Sequence, residues 1–141
     1  MNNNFQNNNK SFLSINNLEL SFFTHAGEVK AVRGISYSVN KGEILGIVGE
    51  SGSGKSVSTS ALMRMVASPG EILAGQIHFD GKDILDLSEK EMVEIRGKDI
   101  GMVFQDPMTS LNPVYTVGNQ IDEVLRKHTN LNKAERKARI I

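Results

Sequence analysis

Two adjoining stretches of opposite character constrain this chain more than any other part of it. Glu43 to Gly49, "EILGIVG", is almost wholly apolar. The residues that follow, Glu50 to Ser56, are glycine and serine apart from Glu50 and Lys55. A short continuous apolar run suits a strand covered on both faces, as in parallel sheets. Beyond the glycines, "KSVSTSALMRMVA" sets Val57, Ala61, Leu62, Met65 and Val66 at helical spacing, and "SPG" (Ser68 to Gly70) stops that helix. Buried strand, glycine loop and helix in that order predict an α/β fold.

The loop itself, Gly49-Glu50-Ser51-Gly52-Ser53-Gly54-Lys55-Ser56, fits G-x-x-x-x-G-K-[ST], the phosphate-binding P-loop. Glycines let the main chain curl until successive N–H groups face an anion. The helix starting near Lys55 adds its positive end. Lys55 is placed to reach β- and γ-phosphates, and the Ser56 hydroxyl to ligate Mg²⁺. The competing reading is a Gly/Ser linker, which would need neither an apolar strand before it nor a helix after it.

Elsewhere the elements are shorter. Leu13 to Phe23 and Val29 to Val39 predict two strands, the second bent at Gly34. "GQIHFDG" predicts a third. Ser88 to Gly97 predicts a helix with a capping box made by Ser88 and Glu91. Asp99 to Phe104 predicts another buried strand, followed by a loop from Gln105 to Pro113. Helices are expected from about Val117 to Lys127 and from Lys133 onward. Residues 1–12, beginning "MNNNFQNNNK", predict a disordered Asn-rich leader without the order of a signal peptide.

"GEILGIVGESGSGKS" together with "IGMVFQDPMTSLNP" resembles the ATP-binding subunits of ABC transporters, and more narrowly their oligopeptide/dipeptide importer branch. The similarity runs from about Ile15 to the end, so residues 13–141 are expected to be the N-terminal part of such a nucleotide-binding domain. The resemblance implies a P-loop NTPase core with an antiparallel β-subdomain, ATP and Mg²⁺ as cofactors, and residence at the cytoplasmic face of the membrane. It implies permease subunits and a second ATP-binding subunit as partners. It places Gln105 beside Mg²⁺ and the attacking water, and an adenine-stacking aromatic at Phe22, where a slip of one residue would substitute Phe23. It also implies that the segment after Gln105 meets the membrane subunit, a task for which Met108 and Leu111 offer apolar contact between Pro107 and Pro113. A surface loop with those residues packed inward is the plainer reading of that segment. For Gln105 the plainer reading is a solvated polar residue at a strand end.

Other elements of the family are missing from the sequence. "IHFDG" and "MVFQD" do not supply the apolar strand ending in Asp-Glu that orients Mg²⁺ and water, and "LSGGQ" does not occur. In the resembled family these lie past the position matching Ile141, so the chain reads as truncated before the Walker B strand. The alternatives are a nucleotide-binding fragment without turnover, or another P-loop kinase or GTPase, whose N-K-x-D base-reading motif is absent. The 16 basic and 16 acidic residues cancel, which argues against duplex DNA as a partner. There is no cysteine, hence no disulfide framework or thiolate metal site. His25, His78 and His128 are scattered and read as surface or turn residues.

Overall fold

Leu13–Thr24 forms β1, and its side chains show why: Ile15, Leu18 and Leu20 are buried while Asn16, Asn17 and Glu19 are exposed. The period-two alternation is interrupted at Asn17, which takes a left-handed φ of 48°. The computed structural model describes residues 11–105 and 111–141. These fall into two compact units, one ending at Leu87 and the other beginning at Ser88.

In the first unit, β1 pairs with β2 (Gly27–Val39) on one side and β3 (Gly70–Phe79) on the other, and β4 (Lys82–Asp83) completes the sheet. The order is β2-β1-β3-β4 and every pairing is antiparallel. This is the antiparallel subdomain expected from the family resemblance. The β1–β2 turn is closed by the Thr24 hydroxyl, which donates to the Gly27 carbonyl at 2.9 Å. The core gathers Ile15, Leu18, Leu20, Val32, Ile77, Phe79 and Ile84 from the sheet and β4's flank, with Ala61 from α1 (Lys55–Leu62) and Met63 just after it. Ser21 is also buried, and its hydroxyl donates to Glu28 at 2.7 Å, so the polar group is satisfied.

All three long strands are irregular at one level. The β1 register slips around Asn17 against both neighbours. Opposite it on β2 stands Gly34, where a Cβ would lie 2.9 Å from the Asn17 side-chain oxygen. On β3 stands Gly75, where a Cβ would lie 2.6 Å from Leu18 Cα and 2.7 Å from the Asn17 carbonyl oxygen. The β3 strand is longer than "GQIHFDG" predicts because it runs through this irregularity back to Gly70. The helix after the glycine loop ends at Leu62 rather than Val66. Arg64 turns left-handed there (φ 50°), and its guanidinium donates to the Leu87 carbonyl.

In the second unit, α2 (Glu89–Ile95) carries the expected capping box between Ser88 and Glu91, and buries Met92 and Ile95. Thr116 caps α3 (Val117–His128), and Asn132 caps α4 (Lys133–Ile140) with Glu135 answering it. The Arg136 side chain ties α4 to Asp122 of α3 at 2.7 Å.

Two expected strands do not form. Glu43 to Gly49 forms no strand or bridge among the described residues, and Ile44 and Val48 are 96% and 93% exposed. Asp99 to Phe104 is limited to a single parallel bridge between Arg96 and Ile100, with Val103 96% exposed. An apolar run makes a strand only where neighbours accept its ladder bonds, and among the described residues no strand is paired with either run. His128 is not the surface residue expected. Its Nε2 lies 3.2 Å from where a Cβ on Gly97 would sit, and its Nδ1 is buried without a hydrogen-bond partner. Residues 1–10 of the expected leader lie outside the described residues. Phe12, at its end, stacks edge-on against Phe79 with ring centroids 4.9 Å apart. Among the described residues no helix is long and apolar enough to cross a membrane.

Candidate functional site

The glycine loop joins the apolar run Glu43–Gly49 to α1. Its curl is built from main-chain geometry. Gly52 and Gly54 have φ of 79° and 88°, the left-handed region that L side chains avoid. Gly54 is the N-cap of α1 with no side-chain cap, and its carbonyl accepts from the Ser58 N–H at 2.8 Å to start the helix. A Cβ on Gly49 would come within 2.7 Å of the Ser53 hydroxyl oxygen, and one on Gly54 within 2.5 Å of the Ala31 carbonyl oxygen. Gly49 is therefore hemmed in by the Ser53 side chain and Gly54 by the β2 main chain, whereas a Cβ on Gly52 would meet nothing within 4 Å.

Lys55 points back across the loop. Its ammonium donates to the Gly49 carbonyl at 2.7 Å, the Glu50 carbonyl at 2.6 Å and the Ser53 hydroxyl at 3.1 Å. The Ser53 N–H donates in turn to the Glu50 carbonyl at 3.2 Å. So a full positive charge is held at the mouth of a loop whose helix presents its positive end to the same place. Ser51, Gly52, Ser53 and Ser56 are exposed, and Ser56 stands in the first turn of α1. Behind them Ser58 is buried, its hydroxyl donating to the Lys55 carbonyl at 2.8 Å, which fixes that first turn. Gly49, Glu50, Ser51, Gly52, Ser53, Gly54, Lys55 and Ser56 form this one loop and the start of α1.

Phe22 lies in β1, paired with Val29 and Gly70, and is half-buried; a Cβ on Gly70 would meet its ring edge at 2.7 Å. Phe23 beside it is 43% exposed. Gln105 belongs to the second unit and is exposed. Asp106 to Ser110, including Pro107 and Met108 of the expected docking loop, lie outside the described residues. Leu111 is 50% exposed, and Asn112 caps its own turn by accepting from the Val114 N–H at 3.0 Å. No cluster of His, Cys, Asp or Glu able to hold a metal occurs among the described residues. Sequence reasoning missed one contributor, the main chain of β2 at Ala31, which approaches Gly54. No residue type signals it, because it arises from a slip in strand register.

A left-handed glycine cap, a curled loop before it and a lysine turned back over the carbonyls are the features of a P-loop protein. Residues 32–141 match the ABC transporter family model, and the chain belongs to that family. It is 54% identical over 130 residues to the oligopeptide transport ATP-binding protein OppD of Bacillus subtilis, covering 92% of this chain and 36% of that protein. It is 51% identical over 124 residues to the dipeptide transport ATP-binding protein DppD of Lactococcus lactis, covering 87% of this chain and 36% of that protein. With DppD of Escherichia coli it shares 47% over 131 residues, 93% of this chain and 40% of that one. The chain thus spans well under half the length of these relatives. Its fold matches the dimeric structure of the bacterial ABC transporter cassette MJ0796 with a TM-score of 0.78 at 24% identity, over 90% of this chain and 53% of that one.

Proposed function

We propose that this chain is the nucleotide-binding front part of an ATP-binding subunit that energises a peptide-importing ABC transporter. The observation that carries the reading is Lys55 held back over the Gly49 and Glu50 carbonyls by a loop with two left-handed glycines, at the N-terminus of α1. The relatives' names, oligopeptide and dipeptide transport ATP-binding proteins, support peptides as the cargo class. A second structure of the MJ0796 cassette, described as bound to ADP and Pi, supports nucleotide as the ligand.

The residues fit that ligand. In this reading main-chain N–H groups of the loop and of the first turn of α1 serve as anion donors, and Lys55 exchanges its carbonyl contacts for phosphate oxygens. ATP bound there supplies the free energy of phosphoryl transfer. Ser56, exposed on the first turn of α1, offers its hydroxyl to Mg²⁺, and Gln105 is the second oxygen ligand in this reading. Phe22 provides the aromatic wall for adenine, with exposed Phe23 as its alternative. As a full-length subunit the protein would work at the cytoplasmic face of the membrane, against permease subunits and a second ATP-binding subunit. The segment after Gln105 would be the surface that meets the permease. Replacing Met108 and Leu111 with serine in the full-length transporter should leave ATP binding intact while transport falls. Survival of both would remove the loop from coupling, and collapse of binding would make it core.

Calorimetric titration with Mg·ATP tests the core of the reading. Loss of the charge-assisted contacts in Lys55→Ala should weaken binding by roughly 1.5–3 kcal/mol, about 10- to 150-fold. Equal affinities would sink the P-loop assignment. This chain by itself should release no more phosphate than Lys55→Ala does, because no carboxylate follows an apolar strand in the pattern that orients an attacking water. Turnover above that background would reveal a catalytic carboxylate among these residues.

A further inference from the structure

Gly54 rests on something specific. Along β1 and β2 the partners run Leu20↔Val32 and then Ser21↔Lys30, so Ala31 has no residue opposite it and forms a bulge. The main chain at this point is the part of β2 that approaches the P-loop. A Cβ on Gly54 would meet the Ala31 carbonyl oxygen at 2.5 Å, its carbonyl carbon at 3.5 Å and a Val32 methyl at 3.6 Å. Val32 is 4% exposed and paired with the fully buried Leu20, so this stretch of β2 cannot drift away. Gly54 in turn is the N-cap of α1, and Lys55 and Ser56 are the next two residues.

We propose that Ala31 is a positioning residue for nucleotide binding, its bulged carbonyl acting as the stop against which Gly54 seats. The inference rests on the nucleotide-binding reading above and adds a determinant outside the P-loop motif. A bulge frees a carbonyl from the regular ladder and re-aims it. Here the freed group meets Gly54, a loop residue with no side chain and a left-handed main chain. The stop sets where α1 begins, and with it the reach of Lys55 and the direction of the first-turn N–H groups. A displacement of α1 along its axis would move every one of these donors together, and errors of about 1 Å at such sites cost on the order of a hundredfold.

Deleting Ala31 isolates the effect. Lys30 opposite Ser21 would then adjoin Val32 opposite Leu20, so the ladder on either side keeps its register while the stop is removed. The deletion should leave the circular dichroism spectrum and melting temperature close to the parent, yet weaken Mg·ATP binding by at least about tenfold. Ala31→Gly keeps the carbonyl and should bind within about twofold of the parent, since the contact is made by main chain. A folded deletion variant that binds like the parent would overturn the proposal, as would Ala31→Gly losing as much as the deletion. Lys55→Ala serves as the reference. If it too binds like the parent, the nucleotide-binding reading has failed; if it alone loses affinity, only the stop has. Should the deletion not fold, hydrogen exchange on the unaltered chain decides. Mg·ATP should then slow exchange at residues 29–33 as well as 49–58, and protection confined to 49–58 would count against the stop.

Discussion

At Gly75 the main chain of β3 passes so close to β1 that a methyl group would meet Leu18 Cα, the Asn17 carbonyl oxygen and the Asn16 carbonyl oxygen, all within 2.8 Å. Gly81, by contrast, shares a left-handed φ (83°) but has open space where a Cβ would go. The pair separates two costs that are usually confounded. Gly81→Ala should lose about 1–2 kcal/mol, the strain of a left-handed alanine. Gly75→Ala should lose that and more, about 3 kcal/mol or above, because three main-chain atoms must also shift. Denaturant melts of the two variants check it; equal losses would mean that β3 yields freely. Little of this could be read from sequence. A glycine looks the same whether it turns in open solvent or lies under a neighbouring strand. The P-loop glycines were legible only because Lys55 and Ser56 follow them at fixed spacing.

Among elements, α2 was the most legible. Its start depends on Ser88 and Glu91, three residues apart, and both halves of the box are made: the Glu91 N–H donates to the Ser88 hydroxyl, and Glu91 accepts from the Ser88 N–H at 2.8 Å. Ser88→Ala should cost about 1 kcal/mol, read as a lowered melting temperature; no loss would mean that burial of Met92 and Ile95 alone holds the helix. The α3–α4 pair is held by different chemistry. The Arg136 guanidinium hydrogen-bonded to Asp122 holds that carboxyl below its usual range. A carboxyl depressed in the folded state stabilises the fold fully above the ordinary Asp pKa of about 3.9, and the contribution fades as pH falls through the lower folded value. Stability should therefore fall more steeply with acid in the parent than in Asp122→Asn below about pH 4. Parallel acid titrations followed by circular dichroism would show this, and superimposable curves would make the pair inconsequential. The strands at Glu43–Gly49 and Asp99–Phe104 were misjudged for a physical reason. Helix signals lie within a few residues of each other, whereas a strand exists only through partners that can be anywhere in the chain.

For the whole molecule, the unpaired runs leave Ile44, Val48 and Val103 almost fully in solvent, with Val114 83% exposed as well. Apolar side chains next to unpaired main-chain groups are a template for association with another copy. The chain should self-associate as its concentration rises. Ile44→Thr with Val48→Thr should reduce that association while changing stability by no more than about 0.5 kcal/mol per site, since neither side chain is packed. Sedimentation velocity across a concentration series is the measurement, and unchanged association would assign it to other surfaces. The sequence showed that these runs are apolar. It could not show them as surface, because exposure belongs to the assembled sheet and not to the run.

The matched irregularities at Asn17, Gly34 and Gly75 have one more effect. A strand sliding by one residue normally finds a nearly equivalent ladder, with every side chain sent to the wrong face. Here β1 carries an extra residue at a level where β2 and β3 each carry a glycine shaped to receive it. Sliding any one of the three would drive a side chain into the place where only a hydrogen fits. The three strands are keyed to one another like the wards of a lock, and the sheet that carries the bulge at Ala31 has only one way to close.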